Sequence, residues 1–369
     1  MPDSIHNFIR RVFAPLMAVT ICLSIVLVVL SAIGFGRDPG EPFTQGIRKI
    51  SKVVWNRSIL PSPVSRRTPH RETYRSWIQT LLAATPILLT GLAVAVAFRA
   101  SVLNIGAEGQ YVVGAIAAIA IGLHPHGPPF VVVLTVLLGG FLAGAIFAGV
   151  AALLEQWRSV PVVLSTLLLN FVAVVLLNAL LQGPLHEHGD QLQSDELPDI
   201  AQLAHLNLHG LPTQLHIGLF IAVGCAVLLS LLLNFTAFGF RLRAVGENPI
   251  AARFAGFRVG LISIATLGLS GGIAGLAGAI QIGGELPHQL LPDTAASGFG
   301  FTGIAVALLG RLSPVGVVFA ALFFGWLKTA FAGLETELHV PFLTLQATQG
   351  SILIAMLILT NRSRRNARL

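Results

Sequence analysis

The sequence predicts an all-α polytopic transmembrane bundle of about ten spans, some of them broken or re-entrant. Three observations carry that prediction. Charged residues make up only 11% of the 369 residues, where a soluble domain carries roughly 25%. The hydrophobic fraction is 54% and the mean hydropathy +0.80. A soluble fold of this composition would expose apolar patches large enough to aggregate, and a disordered chain holds far less apolar surface. The apolar runs are also long and continuous, close to the twenty or so residues a helix needs to cross a bilayer. They are not the ten-residue alternating strands of a barrel.

Hydropathy places the spans, in order, at residues 16–33, 77–98, 105–123, 130–154, 160–181, 215–233, 259–282, 299–309, 315–331 and 342–360. The first run follows Arg10 and Arg11. It is longer than a signal-peptide core and no Ala-x-Ala site follows it, so it reads as an uncleaved span. The third run is small and polar at its start, and the eighth is too short to cross unaided. Both read as broken segments, which transporters place along their substrate path. Lys and Arg set the orientation. With both termini cytoplasmic, the cytoplasmic pieces hold thirteen arginines, and the external loops after residues 123, 181, 282 and 331 hold no Lys or Arg. The 182–214 loop instead carries Glu187, Asp190, Asp195, Glu196 and Asp199. One segment disobeys: 34–76 should be external yet holds nine basic residues. The domain reading is therefore an N-terminal span plus basic loop (1–76), a transmembrane domain (77–360) and a basic cytoplasmic tail (361–369).

Several chemistries find no footing. Cys22 and Cys225 lie in apolar runs and read as small buried hydrophobes. His186-Glu187-His188 has the wrong spacing for two metal ligands on one helix face, and reads as a loop. The three lysines, Lys49, Lys52 and Lys328, follow no GxxxxG pattern, so the chain lacks a Walker A site. The Gly298-x-Gly300 pair precedes no dinucleotide unit, and no Gly-x-Ser-x-Gly elbow is present. The expectation is a chain with no reaction centre, no cofactor and no metal. Gly140, Gly144 and Gly149 in the fourth span, and Gly268, Gly271, Gly272, Gly275 and Gly278 in the seventh, predict close helix packing, because burial of apolar surface supplies no drive in lipid.

Two stretches stand apart. The first, Arg99 to Gln110, puts Asn104, Glu108 and Gln110 at the start of an apolar segment, with Gly106 and Gly109 between them. A carboxylate in hydrocarbon costs on the order of 3 kcal/mol, so it faces a bundle interior or an aqueous cavity. The competing reading has Glu108 at the interface, paired with Arg99. The second, Arg241 to Gly256, contains a short helix. Asn248 is a good N-cap, Pro249 suits the first helical position and Gly256 suits the stop. About seven residues, roughly 10 Å, do not hold a helix alone in water. Ile250 and Phe254 share a face flanked by arginines, which makes this either an interfacial loop helix or a docking helix for a cytoplasmic partner.

Both stretches resemble signatures of the permease subunits of bacterial ABC importers, in the branched-chain amino acid and simple-sugar superfamily, nearest the nucleoside and simple-sugar branch. The resemblance begins at Thr85-Pro86 and Phe98-Arg99 and runs through Asn104-Ile105-Gly106-Ala107-Glu108-Gly109-Gln110. It continues from Arg243 to Gly256, through Ser270-Gly271-Gly272 to Gly278, and through Gly300-Phe301-Thr302-Gly303 to Arg311 and Ser313-Pro314. Ser101 departs from it, standing where glycine is common.

The resemblance implies a division of labour. Two permease chains, a homodimer or a pair with a sister permease, form the pore in the bacterial cytoplasmic membrane. A separate ABC ATPase subunit hydrolyses ATP, and an external substrate-binding lipoprotein delivers the solute. Glu247, Asn248, Pro249, Ile250, Arg253 and Phe254 would couple to the ATPase, with the helix at 249–255 seated in its groove. Asn104, Glu108, Gln110, Asn170 and Thr302 are the candidates for the translocation pathway, because amides suit uncharged hydroxyls and base edges. Interhelical hydrogen bonding competes with that role at each of them. An ATP-independent secondary transporter, a non-transporting scaffold, and the same permease role for branched-chain amino acids are the alternatives. The +7 charge carries no nucleic-acid reading: without 34–76 the chain has fourteen basic and thirteen acidic residues.

Overall fold

The computed structural model describes residues 43–58, 69–186, 192–206, 215–284, 291, 295–341, 343–352 and 354. Among them there is no strand, only an isolated antiparallel bridge between His205 and His216. The helices are α1 (Phe43–Ser58), α2 (Pro69–Arg99), α3 (Ala107–Gly122), α4 (Pro129–Arg158), α5 (Val162–Leu181) and α6 (Gly218–Phe235), then α7 (Ala237–Glu247), α8 (Pro249–Phe254), α9 (Val259–Gly284), α10 (Phe299–Leu309) and α11 (Pro314–Leu338). Six are long and apolar enough to cross a membrane: α2 from Trp77, α4, α5, α6, α9 and α11. The apolar α3 and α10 are shorter. The expected span at 16–33 lies outside the described residues, as does much of that at 342–360, of which 343–352 is helical.

The chain divides into two compact units. The first is Met1–Thr80 with Trp326–Leu369. Within it α1 buries Ile50 and exposes Arg48 and Lys52, so a helix occupies part of the basic segment. Thr80 donates to Thr329 Oγ1 at 3.4 Å. The C-terminal half of α11 buries Leu327, Ala330 and Leu334 at helical spacing.

The second unit, Leu81–Gly325, centres on α9, against which α3 and α4 pack. Its burial pattern reverses that of a soluble bundle. On α4 the buried stripe is Val132, Val136, Gly140, Gly144 and Ala148, while Phe130, Leu134, Leu138, Leu142 and Ile146 form the exposed one. On α5 the exposed stripe is Leu164, Leu168, Phe171 and Val175. Large apolar side chains turn outward because lipid solvates them, and small ones turn inward so that backbones can approach. A Cβ on Gly275 would strike the Gly140 carbonyl, one on Gly144 the Gly271 carbonyl, and one on Gly278 the Tyr111 carbonyl. Gly149 and Gly268, expected to belong to this seam, have nothing within 4 Å. They face away from it.

The sixth span and the stretch that follows it differ from the sequence reading. The sixth span starts at Gly218 rather than at residue 215, because His216 and Leu215 belong to the preceding loop, where Leu206 N bonds Leu215 O at 2.7 Å. The chain then enters a second helix, α7, that hydropathy does not reveal. Thr236 caps it, its Oγ1 accepting from Gly239 N at 3.1 Å and donating to Leu232 O at 2.6 Å.

Candidate functional site

The polar centre of the second unit is where two short helices begin inside an apolar bundle. Helix α2 ends at Arg99, and the next backbone turns left-handed at Ser101 (φ 58°). The chain runs without helix to Gly106 before α3 starts. Backbone N–H groups left free by such a break need acceptors, since the bilayer core supplies no water. Asn104 Oδ1 accepts from Gly106 N at 2.9 Å and Asn170 Oδ1 accepts from Gly109 N at 2.8 Å. Asn170 Nδ2 returns a bond to Ile105 O at 3.0 Å, which ties α5 to the break. Asn104 Nδ2 donates to Gln110 Oε1 and to Ser270 Oγ, each at 2.9 Å, and Ser270 donates to Ala93 O of α2 at 2.6 Å. Gly106 leaves no room for a Cβ, which would lie 2.9 Å from Thr166.

The second short helix, α10, starts after Gly298, whose φ of 81° suits glycine. Its exposed donors are met by Glu108. Oε1 accepts from Gly298 N at 2.7 Å and Oε2 from Gly300 N at 2.6 Å. A Cβ on Gly300 would collide with the Glu108 backbone, so the N-termini of α3 and α10 are in direct contact. Thr90 Oγ1 donates to Phe299 O at 3.0 Å and to Pro86 O at 3.0 Å, inside a helix whose ladder Pro86 interrupts. The rings of Tyr111 and Phe299 meet tilted at 53°, 5.6 Å between centres.

Asn104, Glu108, Gln110 and Asn170 therefore come together, all at least 95% buried. Thr302 lies one turn into α10, half-buried, with its N–H on Gly298 O at 2.9 Å. The competing reading of Glu108, an interface pair with Arg99, is overturned: both carboxylate oxygens are held by α10, and Arg99 Nη1 is buried with no hydrogen-bond partner. Sequence reasoning did not assign Ser270, Thr90 or Thr166 to the site: Ser270 entered only within the resemblance, and hydroxyls in apolar runs carry little signal beyond their polarity.

The second candidate region is the short helix α8. Asn248 caps α8, its Oδ1 accepting from Ile250 N at 3.1 Å and Ala251 N at 3.0 Å. Pro249 is the first helical residue, and Gly256 takes φ 86°. The helix closes at Phe254, one residue short of the expected end, because Ala255 already leaves helical geometry. Ala252 packs inward with Val245 and Ile262, while Phe257 meets Phe240 edge-on at 6.3 Å. Ile250 is 70% and Phe254 89% exposed, and Glu247, Pro249 and Arg253 are exposed beside them. Among the described residues, no three His, Cys, Asp or Glu side chains gather as metal ligands. Glu187 and His188 lie outside those residues, and Cys225 is a free thiol.

Comparison with known proteins adds a family match: the model described as branched-chain amino acid transport system / permease component covers residues 76–360. The guanosine ABC transporter permease protein NupP of Bacillus subtilis (strain 168) is 35% identical over 71% of this chain and 75% of its own length. The glucose ABC transporter permease protein TsgB13 of Haloferax volcanii is 33% identical over 76% of this chain and 75% of its own. The nucleoside ABC transporter permease protein NupB of Lactococcus lactis subsp. cremoris is 27% identical over 90% of this chain and 87% of its own.

Proposed function

This chain belongs to the branched-chain amino acid transport system permease component family, and on that premise we propose that it forms the translocation pathway of an ABC importer for nucleosides or simple sugars. ATP is hydrolysed by a separate subunit, and an external binding lipoprotein delivers the solute. The names of the guanosine, nucleoside and glucose permeases it resembles support that solute class. The pore pairs this chain with a sister permease in the bacterial cytoplasmic membrane, with both termini cytoplasmic.

One observation carries the coupling role: a capped helix six residues long that presents Ile250 and Phe254 to the outside. Apolar side chains on so short and firmly capped an element suit a partner's groove. ATPase closure biases the pore only through contacts that differ between its two states, and α8 is placed to make them.

The break between α2 and α3 supports an uncharged solute. In transporters of carboxylates, half-helix N-termini point free N–H groups at the anion. Here Glu108 occupies the Gly298 and Gly300 N–H groups, and Asn104 and Asn170 occupy those of Gly106 and Gly109. On this reading Asn104, Glu108, Gln110 and Asn170 shape the pathway wall by fixing the break, and Thr302 stands one turn along it.

The test is substrate-stimulated ATP hydrolysis by the reconstituted complex. Phe254→Ala with Ile250→Ala should abolish stimulation while the permease still inserts. Stimulation at the wild-type level would sink the coupling assignment.

A further inference from the structure

Two arginines come from elements that meet at the α8 end of the second unit. Arg99 closes α2, and Arg243 lies on α7 one turn before Gly246. Gly246 packs so closely on the Arg99 carbonyl that a Cβ there would overlap it, and Ser101 Oγ donates to Gly246 O at 2.6 Å. That contact sets Arg99 and, one turn earlier on α7, Arg243 at the same joint. Nη1 of Arg99 and Nη1 of Arg243 are both buried without a hydrogen-bond partner. The Thr266 hydroxyl of α9 is buried and unpartnered as well, on the same helix face as Ser270, which bonds α2.

Buried donors on charged groups with no acceptor are among the costlier arrangements a fold can hold. A single oxyanion accepting from both guanidinium groups would offset both penalties, and the planar fork of arginine matches phosphate oxygens two at a time. Each arginine as a whole is only half-buried, so an anion can reach the pair from the surface.

Depth selects the anion. Arg99 is the last residue of one span, and α7 starts two residues after another ends at Phe235. Leu103, Phe235 and Phe240, near these arginines in the chain, are exposed. Exposed apolar and aromatic side chains beside arginines mark the headgroup layer of a bilayer. We propose that Arg99 and Arg243 form a phosphate-binding site filled by the headgroup of an anionic phospholipid, at the joint from which α8 springs.

The test uses the assembled complex in nanodiscs of phosphatidylcholine with or without phosphatidylglycerol, reading lipid retention by native mass spectrometry and thermal stability in parallel. Wild type should retain phosphatidylglycerol in preference to phosphatidylcholine. Arg99→Gln and Arg243→Gln should each weaken that retention about fivefold, whereas Arg99→Lys should recover part of it and the exposed Arg158→Gln should leave it unchanged. Inorganic phosphate stabilising the complex in phosphatidylcholine discs, with the same arginine dependence, would support the site and assign it to the free anion. Equal retention by wild type and both glutamine variants overturns the proposal. So does an arginine effect confined to complexes carrying the ATPase subunit, which would make a partner carboxylate the counter-ion. A wild-type complex with no preference for phosphatidylglycerol overturns it without recourse to variants.

Discussion

Glu108 is the residue on which the pathway reading turns, and a change of one atom tests it. Glutamine keeps one acceptor oxygen but offers an NH2 where the other must accept, so Glu108→Gln leaves Gly298 N or Gly300 N facing a donor. A buried donor without a partner costs about 1–3 kcal/mol. Uptake by the reconstituted complex should fall while the complex still assembles; normal uptake would return Glu108 to a purely structural part. His216 offers a second test, outside the spans. Its Nδ1 accepts from Gly218 N at 3.1 Å, and burial first, then His205, hold its pKa down at about 4 against an ordinary 6.5. The unfolded chain takes up that proton more readily than the folded one. The contribution of His216 is therefore complete above pH 6.5 and is lost progressively as pH falls from 6.5 toward about 4. The thermal midpoint of wild type should drop more steeply across that window than that of His216→Asn, and parallel curves would discard the assignment. What the sequence discloses at this scale is residue type rather than partner. A carboxylate in an apolar run must be satisfied, but its acceptors' donors stand 190 and 192 residues away. The nearer Arg99 is the local guess, and the distant contact replaced it.

At the scale of elements, helix ends were more legible than helix faces. The start of α8 follows from Asn248 and Pro249 because capping is chemistry between neighbours in the chain, and Asn248→Ala should cost about 1 kcal/mol. Helix α7 escaped notice because its cap, Thr236, ends an apolar run and looks like the start of a loop. The glycines show the limit of pattern alone. Spacing four apart flags Gly140, Gly144, Gly268, Gly271, Gly272 and Gly275 alike, yet only the structure separates Gly275, against the Gly140 carbonyl, from Gly268, against nothing. Gly275→Ala should lower thermal stability in detergent by about 1–3 kcal/mol, the usual penalty of overpacking. Gly149→Ala and Gly268→Ala should leave it unchanged or raise it by up to about 1 kcal/mol, since alanine is the better helix former. Equal losses at Gly275 and Gly268 would contradict the three-helix seam.

For the whole molecule, composition told the class at once: so low a charged fraction leaves few folds other than a lipid-solvated bundle. Solute identity was far less legible, because amide and hydroxyl groups suit many uncharged solutes alike. The uncharged-solute reading predicts that the reconstituted importer accumulates a labelled nucleoside, and that excess unlabelled nucleoside competes while leucine does not. Competition by leucine and none by nucleosides would reverse the solute class. The tie through Glu108 has one further consequence. Helices α3 and α10 meet at their starts, and neither can slide along its axis without carrying the other through that carboxylate. Two half-length rods pinned at their tips behave as a single hinge plate. The two helices therefore have one fewer independent motion than their distance apart in the sequence would suggest.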